Sequence, residues 1–303
     1  MNSTSQLTRG AWRIVMVASA LMIGACDAVN EAVDEIENIG NDAEVFYYVS
    51  LGTSLSVGVQ PNSSGVTLPT NDGYADELFD SIRPAFEAAG AEERELRLVK
   101  LGCPGETLDD MINGGNCPYI AGSQLDAAVD FILDNSARIY LVTIDMGAND
   151  FRDADCIEDA VDATCINNVS NQIATDLGTV LAALNDAAGA NTTIVGMNYY
   201  NPFLSSWLDD VAGQALAMES ALAVGTLTTM LETTYETAGV PVADVAAAFE
   251  SDDFATMVPS TLPAPNDMLP LSVANICDFT FMCDPDPVGP DIHASDAGYS
   301  LIA

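Results

Sequence analysis

Four side-chain or backbone groups needed for acyl transfer occur at four separated places in this chain. Ser54 follows Gly52-Thr53, Gly105 stands in Gly102-Cys103-Pro104-Gly105-Glu106, Asn149 in Gly147-Ala148-Asn149-Asp150, and His293 in Asp291-Ile292-His293. A serine hydroxyl is a weak nucleophile until a neighbouring base takes its proton. His293 is the one histidine among 303 residues, hence the one imidazole available for that task. Attack on a carbonyl leaves negative charge on oxygen, which needs fixed N–H donors. The Asn149 amide and the backbone N–H groups of Ser54 and Gly105 are candidates, with Gly102 close by. Taken singly, Ser54 reads as a turn or N-cap serine, Asn149 as a turn-closing Asx residue and His293 as a structural histidine. Their combination at the ends of strand candidates, in this order, points to chemistry.

Those strand candidates are apolar, β-rich runs at 45–51, 96–101, 139–146, 192–198 and 240–245. Between them, helical patterns cover 74–89, 124–135, 167–188 and 207–238. Such alternation predicts βαβ units, a mostly parallel five-stranded sheet and helices on both faces, in one α/β domain. In open sheets of this kind the site lies at the carboxyl ends of the strands. Ser54, Gly105 and Asn149 come directly after the first three candidates. The stretch 197–203, Met-Asn-Tyr-Tyr-Asn-Pro-Phe, follows the fourth, where it either lines an acyl pocket or packs the core.

The order and wording of these blocks resemble the SGNH hydrolases, the GDSL-type lipases and esterases. Four blocks match between Tyr48 and Tyr299: Gly52-Thr53-Ser54, Gly105, Gly147-Ala148-Asn149-Asp150 and Asp291-Ile292-His293. The resemblance implies a flavodoxin-like α/β/α sandwich. Ser54 would be the nucleophile and His293 the base, while the Ser54 amide, Gly105 and Asn149 would form the oxyanion hole. It implies neither metal nor organic cofactor. Two departures stand out. Thr53 occupies the place where the family usually has aspartate. The family's acid usually lies three residues before the histidine, where this chain has Pro290, so Asp291 is the expected acid, with Asp284, Asp286 or a backbone carbonyl as alternatives. A carbohydrate O-acetyl esterase or acetyltransferase would use the same residues. A non-catalytic surface lipoprotein would need only the fold, although Ser54, Asn149 and His293 are all kept.

The first residues read as an export signal. Arg9 and Arg13 precede an apolar run at 14–25, shorter than the ~18–20 residues of a spanning helix. Its exit, Ile23-Gly24-Ala25-Cys26, resembles a bacterial lipobox, which implies a signal peptide at 1–25 and lipidation of Cys26. Residues 26–44 read as an acidic tether and 45–303 as the hydrolase domain. A membrane partner through the Cys26 lipid, a small-molecule or lipid ester substrate, a monomeric state and a location at the bacterial cell envelope follow from these readings.

Eight basic residues face 45 acidic ones, for a net charge of −37. Nucleic acid is excluded as a partner, because phosphate contacts need clustered Lys and Arg. An aliphatic and aromatic content of 49% argues against a charge-expanded, disordered chain. Such a surface repels itself until salt screens it, so the melting temperature is expected to rise between dilute buffer and molar salt. A flat profile would remove the salt-tolerance reading. Setting Cys26 aside, six cysteines form three close pairs: Cys103/Cys117, Cys156/Cys165 and Cys277/Cys283. In an exported chain they read as three disulfides, most simply paired locally among the fifteen connectivities six cysteines allow, each such bridge stabilising by ~2–3 kcal/mol through loop closure. No Cys-x-x-Cys spacing suggests a metal site. The Asp-rich runs at 150–155 and 284–286 lack the spacing of a calcium loop and read as solvated loops.

Overall fold

The five apolar runs form one parallel sheet in the computed structural model, which describes residues 44–89, 94–157, 161–189, 192–262 and 265–303. Its strands are β1 (Glu44–Gly52), β2 (Arg94–Lys100), β3 (Ile139–Asp145), β4 (Thr193–Met197) and β5 (Val242–Ala243). Their spatial order is β2-β1-β3-β4-β5, and every neighbouring pair is parallel. Parallel strands need crossovers that bury both faces of the sheet, so the central strands are mostly apolar, whereas the edge strand β2 (Arg-Glu-Leu-Arg-Leu-Val-Lys) keeps four charged residues around buried Leu96 and Val99. Tyr48, Val49, Leu51, Val142 and Ile144 are accordingly all fully buried. The export signal, Cys26 and the tether expected from the sequence lie outside the described residues, apart from Glu44, which begins β1.

The crossovers are the helices Tyr74–Ala88, Gln124–Asp134, Ala163–Ala187 and Val211–Thr237. The last two pack against each other, and Tyr74–Ala88 packs against β2. The helical pattern at 207–238 resolves into two elements, a 3₁₀ helix Pro202–Leu208 and the α-helix Val211–Thr237. Asp210 causes the break: its extended backbone leaves its carboxylate free to accept the N–H groups of Ala212 and Gly213 as an N-cap. Two small antiparallel pairs, 59–61 with 67–69 and 257–259 with 268–270, lie outside the main sheet. Short runs with several Gly, Pro and Thr residues carried no periodic signal there. Among the described residues, no helix is long and apolar enough to cross a membrane.

Strand register decides where the loops meet. Gly52, the last residue of β1, lies opposite Asp145, the last residue of β3. Loops leaving these two ends therefore start level and side by side. The disulfides Cys103–Cys117, Cys156–Cys165 and Cys277–Cys283 tie down three segments around them: the loop after β2, the start of Ala163–Ala187 and the chain leading to His293.

Candidate active site

The turn that carries Ser54 begins where β1 can no longer continue. Gly52 has φ +133°, and a Cβ there would run into the Asp145 carboxyl, so only glycine fits. The Gly52 N–H donates to Gln124 Oε1 at 2.7 Å, and Gln124 Nε2 donates back to the Gly52 carbonyl at 2.9 Å. Next, the Thr53 N–H donates to Asp145 Oδ1 at 2.7 Å, and Ser56 Oγ donates to the Thr53 carbonyl at 2.7 Å. The backbone on the N-terminal side of Ser54 is thus fully engaged, while Ser54 itself is half-buried.

Asn149 comes from the neighbouring loop. Gly147, with φ +111°, turns the chain out of β3 into the short helix Ala148–Asp153, and a Cβ there would press on Ile173 at 3.0 Å. Asn149 is buried, and its Nδ2 donates one hydrogen to the Glu106 carbonyl at 2.9 Å. An amide nitrogen carries two hydrogens, so the second remains for a ligand.

His293 is set by the C-terminal segment. Its Nδ1 meets Asp291 Oδ1 at 2.6 Å, and its backbone N–H donates to the same oxygen at 2.9 Å. Thr67 Oγ1 donates to Asp291 Oδ2 at 3.2 Å. Burial pushes the Asp291 carboxyl up, but the bonds from His293, its charge and the Thr67 hydroxyl outweigh burial and hold it below the usual carboxylate range. Tyr200 Oη donates to the Ile292 carbonyl at 2.7 Å, and its ring stacks on Phe249 at 4.6 Å. The backbone of 291–293 also pairs with Phe281 through Asp291 N–H and the His293 carbonyl.

These elements converge on one cavity of ≈ 560 Å³, lined by Ser54, Asn149 and His293. Asp291 touches it through His293. Gly105 does not line it; that residue sits exposed on the loop after β2, and Gly102 is packed beneath the Ser54 turn against Ser56. The remaining wall is mainly apolar and includes Tyr199, Tyr200, Phe203, Leu208, Leu216 and Leu227. The 197–203 stretch therefore does both things expected of it, since Met197 packs in the core while Phe203 faces the cavity. Arg152, Asp209 and Asp284 supply the charged groups of the lining beside His293. Asp150 accepts the Leu108 N–H at 3.1 Å, and burial pushes its carboxyl up to about 6. Among the described residues, no three His, Cys, Asp or Glu side chains gather as a metal site.

Two buried acids under the site were not singled out by their sequence context. Burial pushes Asp145 well above the usual carboxylate range and Glu106 up to about 8, against the Gln124 hydrogen bond that lowers the latter. Their one sequence signal is position: Asp145 ends an apolar strand just before Gly147, and Glu106 follows Gly105. Folded Glu106 holds a proton that the unfolded chain releases near pH 4.5. Its contribution to stability is therefore complete below that pH and is lost as pH rises toward about 8. Melting curves from pH 5 to 8 are expected to fall less steeply in Glu106→Gln than in wild type. Parallel curves would mean that folded Glu106 is already ionised at pH 5.

No protein-family model matches the chain, and no curated protein matches it. Among solved structures, it is similar to a lipase from a goat rumen metagenome, with TM-score 0.48 and 15% identity over 85% of this chain and 93% of that one. It is also similar to an extracellular lipase from Streptomyces rimosus, with TM-score 0.46 and 20% identity over 74% of this chain and 92% of the other. An acetyl xylan esterase aligns with TM-score 0.47 and 10% identity over 85% and 96% of the two chains.

Proposed function

We propose that the chain is a serine-dependent carboxylic ester hydrolase of the SGNH, GDSL-type kind, acting on neutral esters. The observation that carries this reading is the meeting of Ser54, Asn149 and His293 on one cavity, with Asp291 bonded to the imidazole at 2.6 Å. Because Nδ1 faces Asp291, Nε2 is the nitrogen left to serve Ser54. It takes the Ser54 proton as Oγ attacks the ester carbonyl, and Asp291 steadies the imidazolium that forms. The second Asn149 amide hydrogen and the Ser54 backbone N–H receive the oxyanion. Collapse of the tetrahedral intermediate expels the alcohol, which leaves with the proton from Nε2. Water, deprotonated by the same nitrogen, then releases the acid and restores Ser54.

The apolar wall suits the acyl half of the ester, and the acidic surface disfavours anionic interfaces while leaving neutral esters accessible. The signal-like start, Cys26 and the six paired cysteines support an exported, lipid-anchored protein at the cell envelope. The test is hydrolysis of p-nitrophenyl acetate, butyrate and octanoate in high salt by wild type and Ser54→Ala. Ser54-dependent turnover is the expected result. A folded wild type that cleaves none of the three would sink the simple-ester reading. Acetylated sugars would be assayed next, and failure there would leave a binding module.

A further inference from the structure

Asp145 and Glu106 take no part in the proton relay, yet both are fully buried beside it. Each carboxyl has one oxygen bonded and one without a protein partner, Asp145 Oδ2 and Glu106 Oε1. Such groups weaken a core compared with apolar side chains of the same size, so stability does not account for them. Their partners suggest what does. Gln124, also fully buried, grips both the N–H and the carbonyl of Gly52, as a neighbouring strand would. The same Gln124 Nε2 bonds Glu106 Oε2, and the Glu106 backbone carbonyl accepts Asn149 Nδ2 at 2.9 Å. One chain of hydrogen bonds therefore runs from the residue that opens the serine turn to the side chain facing the oxyanion. Asp145 braces the same turn from the next strand, through the N–H of Thr53.

We propose that Gln124, Glu106 and Asp145 are positioning residues that set the distance between Ser54 Oγ and the Asn149 amide. The proposal rests on the ester-hydrolase reading, and it goes further by assigning three residues outside the cavity lining to the precision of the site. Its physical basis is reach: among the described residues no backbone hydrogen bond joins the serine turn beyond Gly52 to the 147–150 loop, so buried side chains carry the register between them. Misplacement of reacting groups by ~1 Å costs about 10²-fold in rate without loss of binding.

The test compares Gln124→Leu, Asp145→Leu and the conservative Asp145→Asn with wild type. Three quantities are read: kcat and KM on p-nitrophenyl butyrate, the labelling rate of Ser54 by a fluorophosphonate, and amide exchange of the peptide spanning 50–56. Both leucine variants are expected to lose about 10²-fold in kcat with KM nearly unchanged, to label slowly and to exchange faster in that peptide alone. Asp145→Asn keeps an acceptor for the Thr53 N–H and is expected to restore most of the lost kcat. Should the leucine variants not fold, Gln124→Asn decides instead. It keeps the amide but withdraws it by one methylene, and the same loss is expected. Folded variants with wild-type kcat and wild-type exchange would overturn the proposal. A wild type that neither turns over ester nor labels at Ser54 would instead sink the hydrolase reading, and the exchange data would still report on the brace.

Discussion

Ser54→Ala is expected to lower kcat on p-nitrophenyl esters by about 10⁴–10⁶-fold, the scale set by nucleophile removal in serine hydrolases generally. The other serines of the cavity wall, Ser205 and Ser206, donate their hydroxyls to the Pro202 and Phe203 carbonyls of the 3₁₀ helix. The residual rate should come from Asn149 and the bound orientation of the ester. Because Ser54 is half-buried on a turn held by its neighbours' backbone, the melting temperature should barely change. An unchanged kcat in a folded Ser54→Ala protein would assign the hydrolysis to some other group. A collapse in melting temperature would make the loss of activity a folding effect.

The next largest effect is expected at Asp291. Asp291→Ala removes the acceptor for His293 Nδ1 and for the His293 backbone N–H together, leaving ring orientation and tautomer unset. About a 10³–10⁴-fold fall in kcat should follow, with KM changed far less, because the carboxylate stands behind the imidazole and away from the ester. Asp284→Ala and Asp286→Ala serve as controls for the alternative acids. Asp284 lines the cavity, but no hydrogen bond joins its carboxylate to the ring. If Asp291→Ala kept most of its kcat while Asp284→Ala lost it, the acid would have to be reassigned.

Local chemistry made much of this protein legible. Strands buried on both faces read as unbroken apolar runs, so β1, β3 and β4 fall within a residue of the expected bounds. The helix Gln124–Asp134 starts at its expected first residue because Ser123 caps it by accepting the Asp126 N–H. Asp291 and His293 are two residues apart, so their bond is a local matter that a sequence can suggest. The cysteine pairs are close for the same reason, with separations of 14, 9 and 6 residues.

What the sequence did not disclose are contacts between distant segments. Asp145 reaches Thr53 across 92 residues and Gln124 reaches Gly52 across 72, and neither pairing leaves a periodic or motif-like trace. In the sequence, Gln124 is one polar residue at the start of an amphipathic helix. Which of Gly102 and Gly105 faces the serine turn was likewise decided by how the loop after β2 folds, with Gly102 beneath it and Gly105 in solvent. Residue types and local spacing thus determined the α/β class, the strand ends and the chemically capable side chains, because burial patterns and short-range bonds are written along the chain. Only the tertiary structure decided which of those side chains share a cavity and what holds them in register. That depends on parallel pairing that aligns Gly52 with Asp145, a relation between residues far apart along the backbone.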